Sequence, residues 1–416
     1  MRGAQLYVYN KILTMTGMKW LYILLLSVLG AVPAAAAGDA ALADVLTGMG
    51  FENVRALRSG NIVYAAVEDR TYRGTYRGLA VALQRLAVTC PDAEAYEVVL
   101  LDSDVPRVHV SAAVASGVWT VKADYDTRGV MGVLSETAGQ GRSTGRIDIT
   151  LHPKVSIDNH RLDVLCEWAV ALAPAVETTL WRGNRITIQP VIPLCGGNLY
   201  DNNTLKYVRV GIADIEQEFL HGGRWSLKAA AGMLYPDLMG AHVEAGWQIS
   251  SSLGVKVQAG LTGDAWCDGD GYHFTDIDRT TFLLKADYYN MWSRVQAQLT
   301  AGRFVYGDYG VRLDLTRHLG DYAIGLYGTL AEGEHNAGFH FAIPMGGRRQ
   351  KRSGAVRVRL PEYFNWEYSM VSYFKFADES MGSEYKTRAD ENRSARYFNA
   401  DYIRQNLQRC LDGAVR

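Results

Sequence analysis

Ala241-His242-Val243-Glu244-Ala245-Gly246-Trp247-Gln248-Ile249 alternates without a break: every odd position is apolar and every even one polar or glycine. A period of two places successive side chains on opposite faces of an extended strand, so this stretch predicts a strand with one apolar and one polar face. The pattern spreads outward from there. Val255-Lys256-Val257-Gln258-Ala259-Gly260-Leu261-Thr262 repeats it, as do residues 225–233, 294–301 and 311–316. Residues 282–288 follow it with one exception, Leu283.

Two architectures use such strands. In a soluble sandwich the apolar faces of two sheets meet and interdigitate. In a transmembrane barrel the apolar face meets lipid, the polar face lines the lumen, and aromatic residues girdle both ends. Three features favour the barrel. The strands are long, and short turns join several of them, among them Ser250-Ser251-Ser252 and Leu319-Gly320-Asp321. Aromatics stand at strand ends, including Trp225, Tyr235, Trp247, Tyr288, Trp292, Tyr309 and Tyr322. The polar face is rich in Lys, Arg, Gln, Asp and Glu. The expectation is an all-β, antiparallel outer-membrane barrel of about 12 strands over residues 146–345. Its candidate lumen-lining residues are Lys228, His242, Glu244, Lys256, Gln258, Lys285, Asp287, Gln296, Gln298, Arg312 and Asp314.

The flanks read differently. Lys19 precedes an apolar run of about 10 residues and Ala34-Ala35-Ala36-Ala37, the layout of a secretory signal peptide over residues 1–37. Gly30 and Pro33 interrupt the run well before the roughly 20 apolar residues a membrane-spanning helix needs. Residues 38–112 predict a small periplasmic α+β unit in ββαββ order: strands at 51–57 and 62–67, a helix at 78–86, and strands at 96–101 and 105–110. Residues 113–145, rich in Gly, Ser and Thr toward their end, read as a linker. Residues 346–416 read as a periplasmic tail with a basic run (Arg348, Arg349, Lys351, Arg352, Arg357, Arg359), an aromatic cluster (Tyr363 to Phe376) and a short helix at 401–411. The basic run is expected as a solvated loop, or as a surface meeting anionic headgroups or an acidic polymer.

Composition narrows the function. Lys+Arg is 43 against Asp+Glu 44, which removes the basic excess of a nucleic-acid binder. Mean hydropathy is -0.09, against a helical membrane protein but natural for a barrel, whose alternating polarity averages near zero. Glycine at 42 and tyrosine at 24 suit small lumen residues and interfacial girdles. Cys90, Cys166, Cys195, Cys267 and Cys410 are scattered, form no CxxC pair and match no zinc spacing. No HExxH or P-loop sequence occurs, and no cofactor is implied. The carboxylate-rich stretch Asp264 to Gly271 lacks the ligand ladder and closing Glu of a calcium loop, and reads as a hairpin. His335 and His340 flank Asn336-Ala337-Gly338-Phe339 on the expected last strand.

Several strand and turn segments carry a resemblance. Leu172-Ala173-Pro174-Ala175-Val176-Glu177-Thr178-Thr179-Leu180-Trp181-Arg182-Gly183 resembles the YjbH-like exopolysaccharide biosynthesis family of outer-membrane proteins. So do Gly307-Asp308-Tyr309-Gly310-Val311-Arg312, Thr316-Arg317-His318-Leu319-Gly320, Asn336 through Pro344, Val356-Arg357-Val358-Arg359 and the opening Gly50-Phe51-Glu52-Asn53-Val54-Arg55. The resemblance implies a non-enzymatic barrel assisting biosynthesis or export of exopolysaccharide or capsule. Its implied partners are outer-membrane lipid, a polysaccharide chain and other export proteins, and no nucleic acid. The family supplies no catalytic residue to carry over. The rival expectation is an outer-membrane or periplasmic enzyme acting on lipid or glycan.

Overall fold

The computed structural model describes residues 34–158, 167–197, 204–220, 223–235, 237–369, 381–389 and 395–413. Residues 1–33 of the stretch read as a signal peptide and the tail aromatics Tyr373, Phe374 and Phe376 lie outside them. The chain is mostly β, with 59% strand and 14% helix, and no helix is long and apolar enough to cross a membrane.

The N-terminal unit opens with α1 (Ala34–Met49), followed by β1 (Glu52–Ser59), β2 (Ile62–Glu68), α2 (Arg77–Thr89), β3 (Ala95–Asp102) and β4 (Val105–Ala115). The expected ββαββ order is present, and two further elements come from the stretch read as a linker: β5 (Val118–Asp124) and α3 (Arg128–Val133). The sheet order is β1-β2-β3-β4-β5, with β2 and β3 parallel across α2 and the other pairs antiparallel. Val130 and Leu134 at α3 pack against Ala66, Val99 and Leu101 on one face of this sheet.

The opposite face gathers the larger core: Leu42 and Leu46 of α1, Leu79, Leu83 and Leu86 of α2, and Val98, Val108 and Val110 from the sheet. It also takes Tyr402, Ile403, Leu407 and Leu411 of α4 (Ala400–Leu411), the helix expected in a free tail. Those four residues recur at helical spacing on one face, and their burial is what joins the C-terminus to this unit. Asn399 caps α4 by accepting from the Tyr402 amide at 3.0 Å, with Asp401 in the first turn and Arg409 in the last, each complementing the helix dipole.

On β4, His109 Nε2 lies 2.5 Å from Glu97 Oε2, and its Nδ1 lies 3.5 Å from Asp124; Ser111 also donates to Glu97. Burial pulls the imidazole pKa down, but the Glu97 hydrogen bond and the two carboxylate charges outweigh it and hold it above the ordinary value. Burial likewise pushes Glu97 up, yet the His109 and Ser111 hydrogen bonds hold it below. The histidine's contribution is therefore full below about pH 6.5 and lost as pH rises through its raised folded pKa. The glutamate's contribution is present above its unfolded pKa and lost as pH falls through its lowered folded one. Unfolding free energies measured by denaturant titration against pH should fall on the alkaline side by about 1 kcal/mol or less, and His109→Gln should flatten that limb.

The rest of the chain forms one large sheet. β6 (Ile147–Asp158), β7 (Glu167–Thr178), β8 (Asn184–Gly196), β9 (Arg209–Leu220), β10 (Trp225–Leu234), β11 (Leu238–Gln248) and β12 (Leu253–Asp268) pair antiparallel in sequence order. The short β13 (Gly271–Phe274) folds back on the end of β12. The path continues through β14 (Arg279–Asn290), β15 (Val295–Arg303), β16 (Tyr309–Leu319), β17 (Tyr322–Ala331) and β18 (Glu334–Pro344). Two strands fall in the region read as a tail. β19 (Val356–Arg359) pairs parallel with β6, and β20 (Tyr363–Ser369) pairs antiparallel with β18. From β6 to β18 the antiparallel meander therefore has the expected dozen strands; β19 and β20 lengthen the path to fourteen among the described residues, and the hydrogen-bonded path remains open. The basic run is corrected in part: Arg348, Arg349 and Lys351 are exposed as expected, but Arg352 and Arg357 both donate to Asp148, at 2.5 and 2.7 Å, with their side chains buried rather than solvated.

The α+β unit lies across one end of this sheet. The Gly183 amide donates to the Ser103 carbonyl at 2.9 Å, Arg107 pairs with Glu218, Arg73 with Asp321 at 2.9 Å, and Ser251 donates to Asp401 at 3.0 Å. The turns it covers join β7 to β8, β11 to β12 and β16 to β17, with the end of β9 beside them.

Candidate functional site

The polarity of the large sheet is inverted relative to a soluble protein. Along β17, Tyr322, Ile324, Leu326 and Leu330 are exposed, Leu326 at 65%, while Ala323, Tyr327, Thr329 and Ala331 between them are buried. Leu313 and Leu315 of β16, Phe282 and Leu284 of β14, and Val257 and Leu261 of β12 are likewise exposed. The buried partners on those strands are polar: Thr316 and His318, Thr281, Gln258 and Thr262. Leu283, the residue that broke the alternation, faces the buried side.

All eleven candidate residues lie on that buried polar face. His242, Glu244, Gln258 and Gln296 are buried, and Lys228, Lys256, Lys285, Asp287, Gln298, Arg312 and Asp314 are half-buried. Cross-strand register brings most of them together. Lys228 stands opposite Glu244, its Nζ 3.4 Å from Glu244 and 3.4 Å from Glu216, and Lys256 reaches Glu244 at 3.0 Å. Arg312 pairs with Asp314 and with Glu367 of β20, both at 2.9 Å, and its guanidinium lies 4.0 Å from the Tyr327 ring centre. Gln296 bonds Asp287 and lies 3.2 Å from His318 Nε2. Gln298 sits in register between Asp287 and Asp314.

One pairing looks unfavourable by itself: Lys256 stands directly opposite Lys285, and like charges across a strand pair repel. The second counter-ion comes from residues 381–389, which cross the polar face. Glu384 pairs with Lys285. Above it, the Gly382 amide donates to Asp308 at 2.8 Å, and the Val305 amide donates to the Ser383 carbonyl. Tyr385 is buried against His242, ring centres 4.7 Å apart, and a Cβ on Gly260 would lie 2.5 Å from its hydroxyl, so Gly260 is what admits the ring. Lys386 exchanges backbone hydrogen bonds with Tyr235. Thr387 donates to Glu216 at 3.2 Å, and Arg388 bridges Glu216 and, at 3.2 Å, Asp102 of the α+β unit. This segment fills the space the alternation leaves polar.

Sequence reasoning missed these partners unevenly. Asp214, Glu216 and Glu218 alternate with the exposed Ile215 and Phe219, so the same period-two signal marks them. Glu384, Tyr385 and Arg388 have no such signal, because the segment is irregular.

Among the described residues His340 has no catalytic-relay geometry. Thr316 Oγ1 at 3.4 Å and Asp314 Oδ1 at 3.9 Å both approach the same nitrogen, Nε2, whereas a nucleophile–base–orienter arrangement uses both ring nitrogens. Among the described residues no group of three or more His, Cys, Asp or Glu side chains is placed to hold a metal ion, and Cys90, Cys195, Cys267 and Cys410 are free thiols. No protein-family model matches the chain, and no curated protein matches it.

Proposed function

We propose that the chain is a non-enzymatic outer-membrane β-barrel protein that assists export or surface assembly of a polysaccharide, with its α+β unit in the periplasm. The observation that carries the membrane reading is the inverted polarity of the sheet. Soluble monomers rarely leave a contiguous apolar surface exposed over so many neighbouring strands, and hydrocarbon is the medium in which it is favourable. Residues 356–369 support barrel closure. β19 holds the β6 edge and β20 the β18 edge, only three residues apart in the chain, and Trp366 Nε1 donates across to the Val155 carbonyl at 3.1 Å. On this reading 356–369 is the last stave of a thirteen-stranded barrel with one parallel seam. Short turns under the α+β unit suit the periplasmic end.

The polysaccharide role rests on the resemblance of the strand and turn segments, and on a polar face that mixes charges with tyrosine. With residues 381–389 in place the barrel acts as an accessory rather than an open conduit. Two measurements test the proposal. Leu326→Arg should cost about 2–4 kcal/mol and abolish the heat-modifiable gel band if Leu326 meets lipid, whereas at a solvated surface it would change stability by roughly 0.5 kcal/mol or less. Loss of the gene should lower the amount or attachment of surface polysaccharide; an unchanged surface coat sinks the export role and leaves the barrel standing.

A further inference from the structure

The junction between the α+β unit and the sheet holds a small cleft lined by Arg73, Thr75, Arg77, Asp321 and Arg348. Three guanidinium groups face one carboxylate there. Arg73 is 8% exposed and uses two nitrogens, Nη1 toward Asp321 at 2.9 Å and Nη2 toward the Gly346 carbonyl at 3.0 Å, while its buried Nε has no partner. Arg77 and Arg348 form no ion pair or side-chain hydrogen bond among the described residues, and Arg348 is exposed. Arg77 is also the first residue of α2. Two unpaired guanidinium groups beside a paired third repel one another unless an anion joins them, and guanidinium forks match the oxygens of a phosphate group.

We infer that this cleft binds a phosphate group, with Arg77 and Arg348 as its main donors and Arg73, fixed by Asp321, as its floor. The position favours a lipid headgroup over a free ion. Asp321 lies in the turn between β16 and β17, flanked on the apolar face by Leu319 at 49% and Tyr322 at 55% exposure, so the cleft opens where the apolar band ends. This choice of source rests on the barrel reading above; the anion site itself does not.

The test uses the full-length protein in detergent, comparing wild type with Arg77→Gln/Arg348→Gln by native mass spectrometry. One arm adds phosphatidylglycerol, a second adds an uncharged glycolipid lacking phosphate, and a third adds inorganic phosphate alone with a thermal-shift readout. Wild type is expected to retain phosphatidylglycerol roughly tenfold better than the double variant, with no difference for the glycolipid. Stabilisation by inorganic phosphate in wild type only, without selective lipid retention, assigns the site to a soluble phosphate. Equal behaviour of wild type and variant in every arm overturns the proposal. The gel shift on boiling is read on the same samples: its presence in the variant shows that it has folded, and its absence in wild type removes the barrel while leaving the phosphate arm valid. Arg77→Lys/Arg348→Lys should restore part of the retention.

Discussion

Replacing residues 381–389 by an equal length of Gly and Ser is expected to convert an electrically quiet protein into a conducting one, raising bilayer conductance by roughly tenfold or more. The reasoning starts from size. Eight strands close around their own side chains and sixteen to eighteen leave an aqueous channel, so a barrel of intermediate size holds water only if nothing else occupies it. On the barrel reading Tyr385 and Glu384 occupy it, Tyr385 tilted against His242 and Glu384 paired with Lys285. A Gly–Ser replacement preserves the tether to α4, which stays in the hydrophobic core of the α+β unit. Glu384→Gln alone should give a smaller, intermittent current, since Lys285 would then face Lys256 with only Glu244 nearby. Conductance unchanged by the full replacement would mean that the polar side chains fill the lumen by themselves.

The contrast between what alternation reveals and what it hides has a physical basis. β11 was readable because each side chain's face follows from its parity, and the expected strand at 241–249 differs from Leu238–Gln248 only at its ends. The same parity applied to Val356-Arg357-Val358-Arg359 marks a strand, but basic residues suggest solvent unless their counter-charges are known. Asp148 lies more than two hundred residues away in sequence and is what permits Arg357 to be buried. β5 was obscured in a similar way. Val118-Trp119-Thr120-Val121-Lys122-Ala123-Asp124 sits behind Ser116 and Gly117 at a tight turn, both with positive φ, and only Val121 is fully buried, so it resembles a loop in composition. The helical period of α4 was visible; its destination was not, because its apolar face fits any complementary core. For the crossing segment there is no period at all, and its placement depends on charges distributed over β9, β14 and β3.

That last dependence makes Asp102 the residue whose loss should matter most. It ends β3, is 1% exposed, and accepts from Arg185 of β8 at 2.8 Å while lying 3.4 Å from Arg107 and 3.2 Å from Arg388. One carboxylate therefore links the α+β unit, the large sheet and the crossing segment. Asp102→Asn keeps the shape and removes the charge. The guanidinium groups then share Glu177, Glu216 and Glu218, and the last two already pair with Lys228 and Arg107. Removing one partner of a buried ion pair costs about 3–5 kcal/mol, because the other charge stays desolvated without compensation. The loss should fall on the docking of the α+β unit, since strand pairing within the sheet does not involve Asp102. Limited proteolysis should therefore release that unit far sooner in Asp102→Asn than in wild type, while the sheet stays resistant. Because Arg388 loses the anchor nearest the rim, the same variant should also show the intermittent current expected of Glu384→Gln. Proteolysis accelerated without any current would separate docking from occlusion; neither effect would mean that Glu216 and Glu218 hold the arginines without Asp102.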